Sequence, residues 1–141
     1  MFTVRENTIS SEDFFSVYTS VGWEAPPIEQ IEAAIANSVC VFGVYADEKL
    51  VAVARLIGDM GMSFYIKDFA VLPDFQGKGC GRALMEHIIY YVKSVLPVGW
   101  AVSLELISSK GREGFYEKFG FEARPCEWDG AGMFRMVCSE K

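Results

Sequence analysis

The sequence predicts an α+β domain built on a mixed sheet, and three observations carry that expectation. Three β-rich runs, Val39–Tyr45, Leu50–Leu56 and Ser63–Leu72, follow one another closely enough to form an antiparallel meander. A long amphipathic helix then separates the third run from a fourth, and a strand–helix–strand crossover of that kind is right-handed and sets its two strands parallel. No repeat, linker or low-complexity tract interrupts the 141 residues, so residues 1–141 are expected to form one domain.

The first element is a short strand, Phe2–Glu6. Ser10 and Asp13 then make an N-cap pattern, and Phe14, Val17, Tyr18 and Val21 recur at helical spacing until Gly22 stops the helix. After the loop Trp23–Pro27, the residues Ile28, Ile31 and Ile35 mark one face of a second helix that opens on a proline. Ala46–Lys49 joins the first two runs of the meander as a hairpin turn, and Gly58–Gly61 leads into the third. The long helix begins near Gly79 or Cys80, shows Leu84, Ile88, Tyr91 and Val95 on one apolar face, and stops before Pro97. Ala101–Ile107 is the next strand, and Gly111–Lys118 a short helix that Gly120 terminates. Phe121–Cys126 and Met133–Cys138 are expected to form a last hairpin around Asp129–Gly132. The total is about seven strands, mostly antiparallel, with helices on both faces.

Composition narrows the function. Hydrophobic residues make up 51% and aromatics 14%, ample for a core in a chain of this size and incompatible with disorder as the main state. With 13 Lys+Arg against 19 Asp+Glu the formal charge is −6, which repels a polyanion and argues against nucleic acid as a partner. No apolar run reaches the roughly 18 residues of a membrane span, and the residues after Met1 lack the apolar stretch of a signal peptide. A cytoplasmic protein with no membrane partner is expected. Cys40, Cys80, Cys126 and Cys138 show neither CxxC spacing nor the density of a disulfide scaffold, so free thiols are expected, even for Cys126 and Cys138 across the last hairpin. The single histidine, His87, has no ligand cluster beside it and reads as structural, and no metal is expected.

The sharpest feature is the turn Pro73-Asp74-Phe75-Gln76-Gly77-Lys78-Gly79-Cys80-Gly81-Arg82, placed where a strand hands over to a helix. Three glycines at alternate positions let the backbone approach a ligand with its N–H groups unshielded, and a helix N-terminus behind such a turn suits an anion. Lys78 and Arg82 strengthen the site for a phosphate or pyrophosphate. Two phosphate loops fail here, because Gly79 stands where the Walker pattern needs Ser or Thr, and Arg82 where the dinucleotide fingerprint needs glycine. The pattern Gln-x-x-Gly-x-Gly from Gln76 to Gly81 instead resembles the acyl-CoA motif of the GNAT N-acetyltransferase superfamily. Downstream, Phe115-Tyr116-Glu117-Lys118-Phe119-Gly120-Phe121 is similar to the second GNAT signature, Phe-Tyr-x-x-x-Gly-Phe. The resemblance runs from about Ser63 to Phe121.

The resemblance implies a GNAT fold, acetyl-CoA as cosubstrate, and a central pair of parallel strands that splay apart around the pantetheine arm. It assigns the backbone of Phe69, Ala70 and Val71 to that arm, with the Val71 N–H directed at the thioester oxygen. Gln76, Gly77, Lys78, Gly79, Cys80, Gly81 and Arg82 are then expected around the pyrophosphate. Tyr116 matches the tyrosine that protonates the departing sulfur, and it also belongs to the cofactor-binding set. Where many GNATs carry Asn, seven residues before that tyrosine, this chain has Ser109, which leaves one cofactor contact open.

The base has several candidates. Asp68 and Glu105 lie one on each splayed strand, Tyr65 is a third, and an ordered water can replace any of them. Strict alternation would place Asp68 beside Phe64, Ile66, Ala70 and Leu72, where a carboxylate needs either a partner or a job, unless a bulge re-aims it. An ion pair with an arginine is the plainer alternative. Trp23 serves either as an acceptor-side ring, together with Tyr65, or as a core anchor between two helices. Glu24, Asp59 and Glu127 can attract an ammonium or simply be solvated. The expected activity is acetyl transfer to the primary amine of a small molecule through a ternary complex. Alternatives are a protein N-acetyltransferase acting on an N-terminal or lysine amine, and a non-catalytic acyl-CoA-binding module. A homodimer through the last hairpin is a further expectation.

Overall fold

A computed structural model describes residues 1–139. The chain divides into two compact units, Met1–Leu106 and the segment from Ile107 onward. The first holds β1 (Phe2–Glu6), α1 (Ser11–Ser20), α2 (Ile28–Ala36), β2 (Cys40–Ala46), β3 (Lys49–Gly58), β4 (Ser63–Val71), a 3₁₀ turn at Pro73–Phe75, α3 (Cys80–Val95) and β5 (Ser103–Leu106). The second holds α4 (Glu113–Glu117).

The strands lie in the order β1-β2-β3-β4-β5, antiparallel up to β4, with β4 and β5 parallel. Local chemistry sets the boundaries. Ser10 caps α1 by accepting the Asp13 N–H at 3.1 Å, and Pro27 opens α2. In the β3–β4 turn, Asp59 Oδ1 accepts the N–H groups of Gly61, Met62 and Ser63 at 2.9, 2.8 and 3.0 Å. Those backbone donors, Ser63 foremost, hold the Asp59 carboxyl at about 2. Asp59 is therefore a turn residue, not a free charge awaiting an ammonium.

Helices cover both faces of the sheet. Phe14 and Val17 of α1 and Ile31 of α2 pack on Val41, Val53 and Ala70. On the opposite face α3 buries Leu84, Met85 and Ile88, and the Phe42 ring meets His87 and Tyr91 edge-on at 5.7 and 5.4 Å. Each such buried side chain stabilises the fold by roughly 1.5–3 kcal/mol. His87 Nε2 also lies 2.8 Å from Glu6 Oε2, tying α3 to β1 in the structural role expected of it.

Two expectations about the sheet are corrected. The described residues form five strands instead of about seven, and the parallel pair sits at the edge of the sheet, not its centre. The runs Phe121–Cys126 and Met133–Cys138 carry no strand. A two-stranded hairpin persists when it has an apolar face to bury, yet Trp128, Met133, Phe134, Met136 and Val137 are all exposed. Pro125 removes a ladder donor from the first run. The Cys126 N–H bonds to the Asp129 carbonyl at 2.9 Å and Arg124 pairs with Asp129 at 3.0 Å, so this stretch is a local bend. Cys126 and Cys138 are free thiols. No helix among the described residues is long and apolar enough to cross a membrane.

Candidate active site

The site begins with an irregularity in β4. Gly58 pairs with Phe64, Leu56 with Ile66 and Arg55 with Lys67, but Val53 pairs with Ala70, so Asp68 and Phe69 together oppose Ala54. This is a β-bulge, and it inverts the phase of the strand. Phe64 and Ile66 lie opposite Gly58 and Leu56 on the α3 face, whereas Ala70 joins the core beneath α1 and α2. The grouping of Asp68 with Phe64, Ile66, Ala70 and Leu72 that strict alternation implies is therefore broken. Asp68 takes φ 57, in the left-handed region, and its Oδ2 accepts a hydrogen bond from Arg55 Nε at 2.6 Å. Arg55 also donates to Ser38 Oγ at 3.2 Å, and Ser38 donates to the Ala34 carbonyl at 2.7 Å. The carboxylate has the arginine partner that its setting demands.

Beyond the bulge the strand edge opens. β5 pairs with β4 from Ser63 to Ile66, and among the described residues no strand flanks Lys67–Val71 on that side. The Leu72 N–H bonds to the Val51 carbonyl at 2.8 Å. Antiparallel ladders alternate bonded and non-bonded pairs, so the Val71 N–H, one residue earlier, points away from β3 towards the open side. Tyr65 and Glu105 stand opposite each other where the two strands still pair. Burial, and then the Glu105 charge, push the Tyr65 hydroxyl above its ordinary value.

The open edge runs into the glycine turn. Gln76 Nε2 donates to the Val71 carbonyl at 3.0 Å, so its side chain fastens the turn to the strand end. Gly77 and Gly79 have φ 75 and 88, and a Cβ added at either would have nothing within 4 Å. The first bond of α3 runs from the Ala83 N–H to the Gly79 carbonyl at 3.1 Å, and no side chain caps the helix. The amides of Gly79, Cys80, Gly81 and Arg82 thus have no carbonyl of their own helix to meet, at the positive end of a 16-residue dipole. Lys78 and Lys49 lie 5.5 and 5.4 Å from the Phe75 ring, adding positive charge beside the turn. Backbone donors, an open cradle and cations together suit a pyrophosphate. The Cys80 side chain takes no part, since it is buried and burial pushes its thiol up to about 11.

The second unit organises Tyr116. The Arg112 N–H bonds to the Ser109 carbonyl at 3.0 Å ahead of α4, and Gly120, at φ 91, follows its end. Tyr116 is buried, with Phe115 edge-on at 5.1 Å and Phe121 at 6.2 Å. Burial raises the Tyr116 hydroxyl above its ordinary value, and Arg112 opposes the shift. Ser109 is exposed and serves the turn through its carbonyl.

A family model described as an acetyltransferase (GNAT) domain matches residues 37–123, which include both the bulged strand and the glycine turn. The chain belongs to the GNAT acetyltransferase family. An uncharacterized N-acetyltransferase of Pyropia yezoensis is 32% identical over 120 residues, covering 82% of this chain and 65% of the relative. The chain thus spans about two-thirds of that relative's length. A probable acetyltransferase of unknown function from Staphylococcus aureus superposes with a TM-score of 0.82 at 33% identity, covering 97% of this chain and 100% of the other. A GNAT-family acetyltransferase of Streptococcus pneumoniae gives 0.79 at 28% identity, covering 99% and 100%.

The matched span of this GNAT domain leaves out β1, α1 and α2. Trp23 meets Tyr18 edge-on at 5.1 Å and packs against the core under α1 and α2, which is the core-anchor reading of the tryptophan. Two residues beside Asp68, Tyr18 and Arg55, were not among the expected site residues. Tyr18 lies close enough to the Arg55–Asp68 pair that, after burial, the Asp68 charge is the next cause raising its hydroxyl. Arg55 itself sits mid-strand among apolar residues, and a lone cation in the run Val51–Ile57 was the one available signal.

Proposed function

We propose that this GNAT protein transfers an acetyl group from acetyl-CoA to the primary amine of a small molecule. The observation that carries the reading is the open β4 edge, with the Val71 N–H turned outward, leading directly into the uncapped glycine turn. Acetyl-CoA supplies the activated thioester. The turn's amides bind the pyrophosphate, and the backbone of Phe69 to Val71 aligns the pantetheine arm as an added strand. The Val71 N–H donates to the thioester carbonyl oxygen, a type of contact often worth a few kcal/mol in acyl transfer. The amine lone pair bonds to the acetyl carbon, the carbon–sulfur bond breaks, the amine gives up one proton, and the departing thiolate takes one from Tyr116. Because burial raises the Tyr116 hydroxyl, that proton stays on the residue throughout neutral pH. Asp68 is held by Arg55, and the amine proton is assigned to Glu105, which stands opposite Tyr65 where β4 and β5 pair.

The net charge of −6 favours a cationic acceptor, which must lose a proton before attack. An acetyl-CoA consumption screen against small amines, peptides and proteins tests the proposal. Turnover with small amines, with kcat/KM rising with pH until the amine is neutral, is expected. Reaction confined to peptides or protein N-termini overturns the acceptor class, and acetyl-CoA binding without any turnover overturns the enzyme.

A further inference from the structure

We infer that Arg55 and Asp68 are positioning residues: their ion pair holds the β4 bulge, and the bulge decides that Val71, not its neighbour, presents an N–H to the open edge. The inference rests on the proposed role of that N–H at the thioester oxygen.

The ladder itself supplies the argument. In the first half of the β3–β4 pair the Asp59 N–H bonds to the Ser63 carbonyl at 3.2 Å, and pairs two residues apart repeat the bonded geometry. Continued without interruption, the register that joins Arg55 to Lys67 would bring Val71 opposite Val51 in a bonded pair, with its N–H consumed inside the sheet. In the structure Leu72 holds that bond to Val51, because Asp68 and Phe69 together oppose Ala54. One extra residue turns the Val71 N–H from the interior of the sheet to its open edge.

The bulge is held by side chains. Asp68 has φ 57, which a non-glycine residue adopts at a cost unless its surroundings fix it. Arg55 stands on β3 at the last regular pair before the bulge, its Nε 2.6 Å from Asp68 Oδ2 and its other end on Ser38. Both side chains are about 15% exposed, 14% for Arg55 and 15% for Asp68, so water competes little for the pair. Asp68 is thus committed to shaping the backbone and not to taking a proton.

Two measurements test this. Amide hydrogen exchange by NMR on the full chain is expected to show Leu72 protected and Val71 fast in the wild type, with that contrast lost in Arg55→Met. In steady state with acetyl-CoA and the best amine, Arg55→Met is expected to lower kcat roughly 10–100-fold, since a small misplacement of an aligned group costs that much. The KM for acetyl-CoA should rise as well, because the same edge is proposed to hold the pantetheine arm, while the shape of the pH profile should hold. Asp68→Asn should stay within about fivefold of wild type, because Asn enters the left-handed region and its Oδ1 still accepts from Arg55. The double variant Arg55→Met/Asp68→Asn should lose no more than Arg55→Met alone. If Arg55→Met does not fold, Arg55→Lys, which keeps the charge without the fork of donors, replaces it with the same expectations. An unchanged exchange contrast in the arginine variant, or wild-type kcat there, overturns the inference. So does an Asp68→Asn variant that keeps the contrast between Leu72 and Val71 in exchange yet shows no turnover, which would make Asp68 the base. A wild type that exchanges as expected but shows no acetyl-CoA-dependent reaction would refute the proposed activity and leave the bulge assignment standing.

Discussion

Replacing Gly79 by alanine separates two properties of the glycine turn. Gly79 has φ 88, and an added Cβ would find nothing within 4 Å, so the free protein bears backbone strain and no clash. A left-handed non-glycine residue costs roughly 1–2 kcal/mol. At about 3–5 °C per kcal/mol for a chain of this length, Tm should fall by about 3–10 °C. Gly99, between α3 and β5, is a matched control, since it too has φ 88 and open space around a Cβ. Gly99→Ala should therefore lose a similar amount. The variants should diverge when acetyl-CoA is added at about 100 times its Kd, where binding stabilises the wild type by about 2.7 kcal/mol, or roughly 8–13 °C. Gly99→Ala should keep that rise. Gly79→Ala should lose most of it, because its methyl group would stand among the amides at the start of α3. Thermal-shift curves on the three proteins decide the matter, and a full acetyl-CoA response in Gly79→Ala would refute the assignment of the turn.

Tyr116→Phe keeps the ring and its contacts with Phe115 and Phe121 while removing the transferable proton. Its kcat should fall by roughly 10²–10⁴-fold with acetyl-CoA affinity and Tm nearly unchanged, whereas a retained rate with a lowered Tm would make the hydroxyl structural. In the wild type, the raised Tyr116 hydroxyl should place no descending limb on kcat/KM below about pH 10; a descent near neutrality would exclude Tyr116 as the acid. The Asp59 carboxyl, at about 2 against an ordinary 3.8, contributes stability that is present above pH 3.8 and is lost as pH falls through about 2. Asp59→Asn keeps an acceptor but cannot titrate, so Tm against pH between 4 and 2 should be flatter than in the wild type, and parallel curves would remove Asp59 from the account of acid sensitivity.

The elements were legible where a signal is local. Ser10 begins a helix because its own side chain meets the amide three residues on, and Pro27 opens the next because the first turn needs no amide there. The apolar face of α3 and the strands of the meander follow from periodicity, and the glycine turn from residues adjacent in sequence. The end of the chain was misread. Phe121–Cys126 and Met133–Cys138 have the composition of strands, but strand formation needs a partner edge and a surface to cover, and composition specifies neither.

The sequence by itself determined the family and the order of helices and strands as far as α4, and it marked the glycine turn that is proposed to hold a pyrophosphate. Tertiary structure decided what the candidate base is doing. In Ser63–Val71 the residues around Asp68 are apolar at both parities, Phe64, Ile66, Phe69, Ala70 and Val71 among them, so the segment fits a straight or a bulged strand equally well. The choice is settled by Arg55, thirteen residues away in sequence and on the neighbouring strand, whose guanidinium reaches Asp68 only when β4 gains one residue against β3. A register is a relation between two strands, and its energy resides in cross-strand hydrogen bonds and ion pairs that neither strand encodes alone.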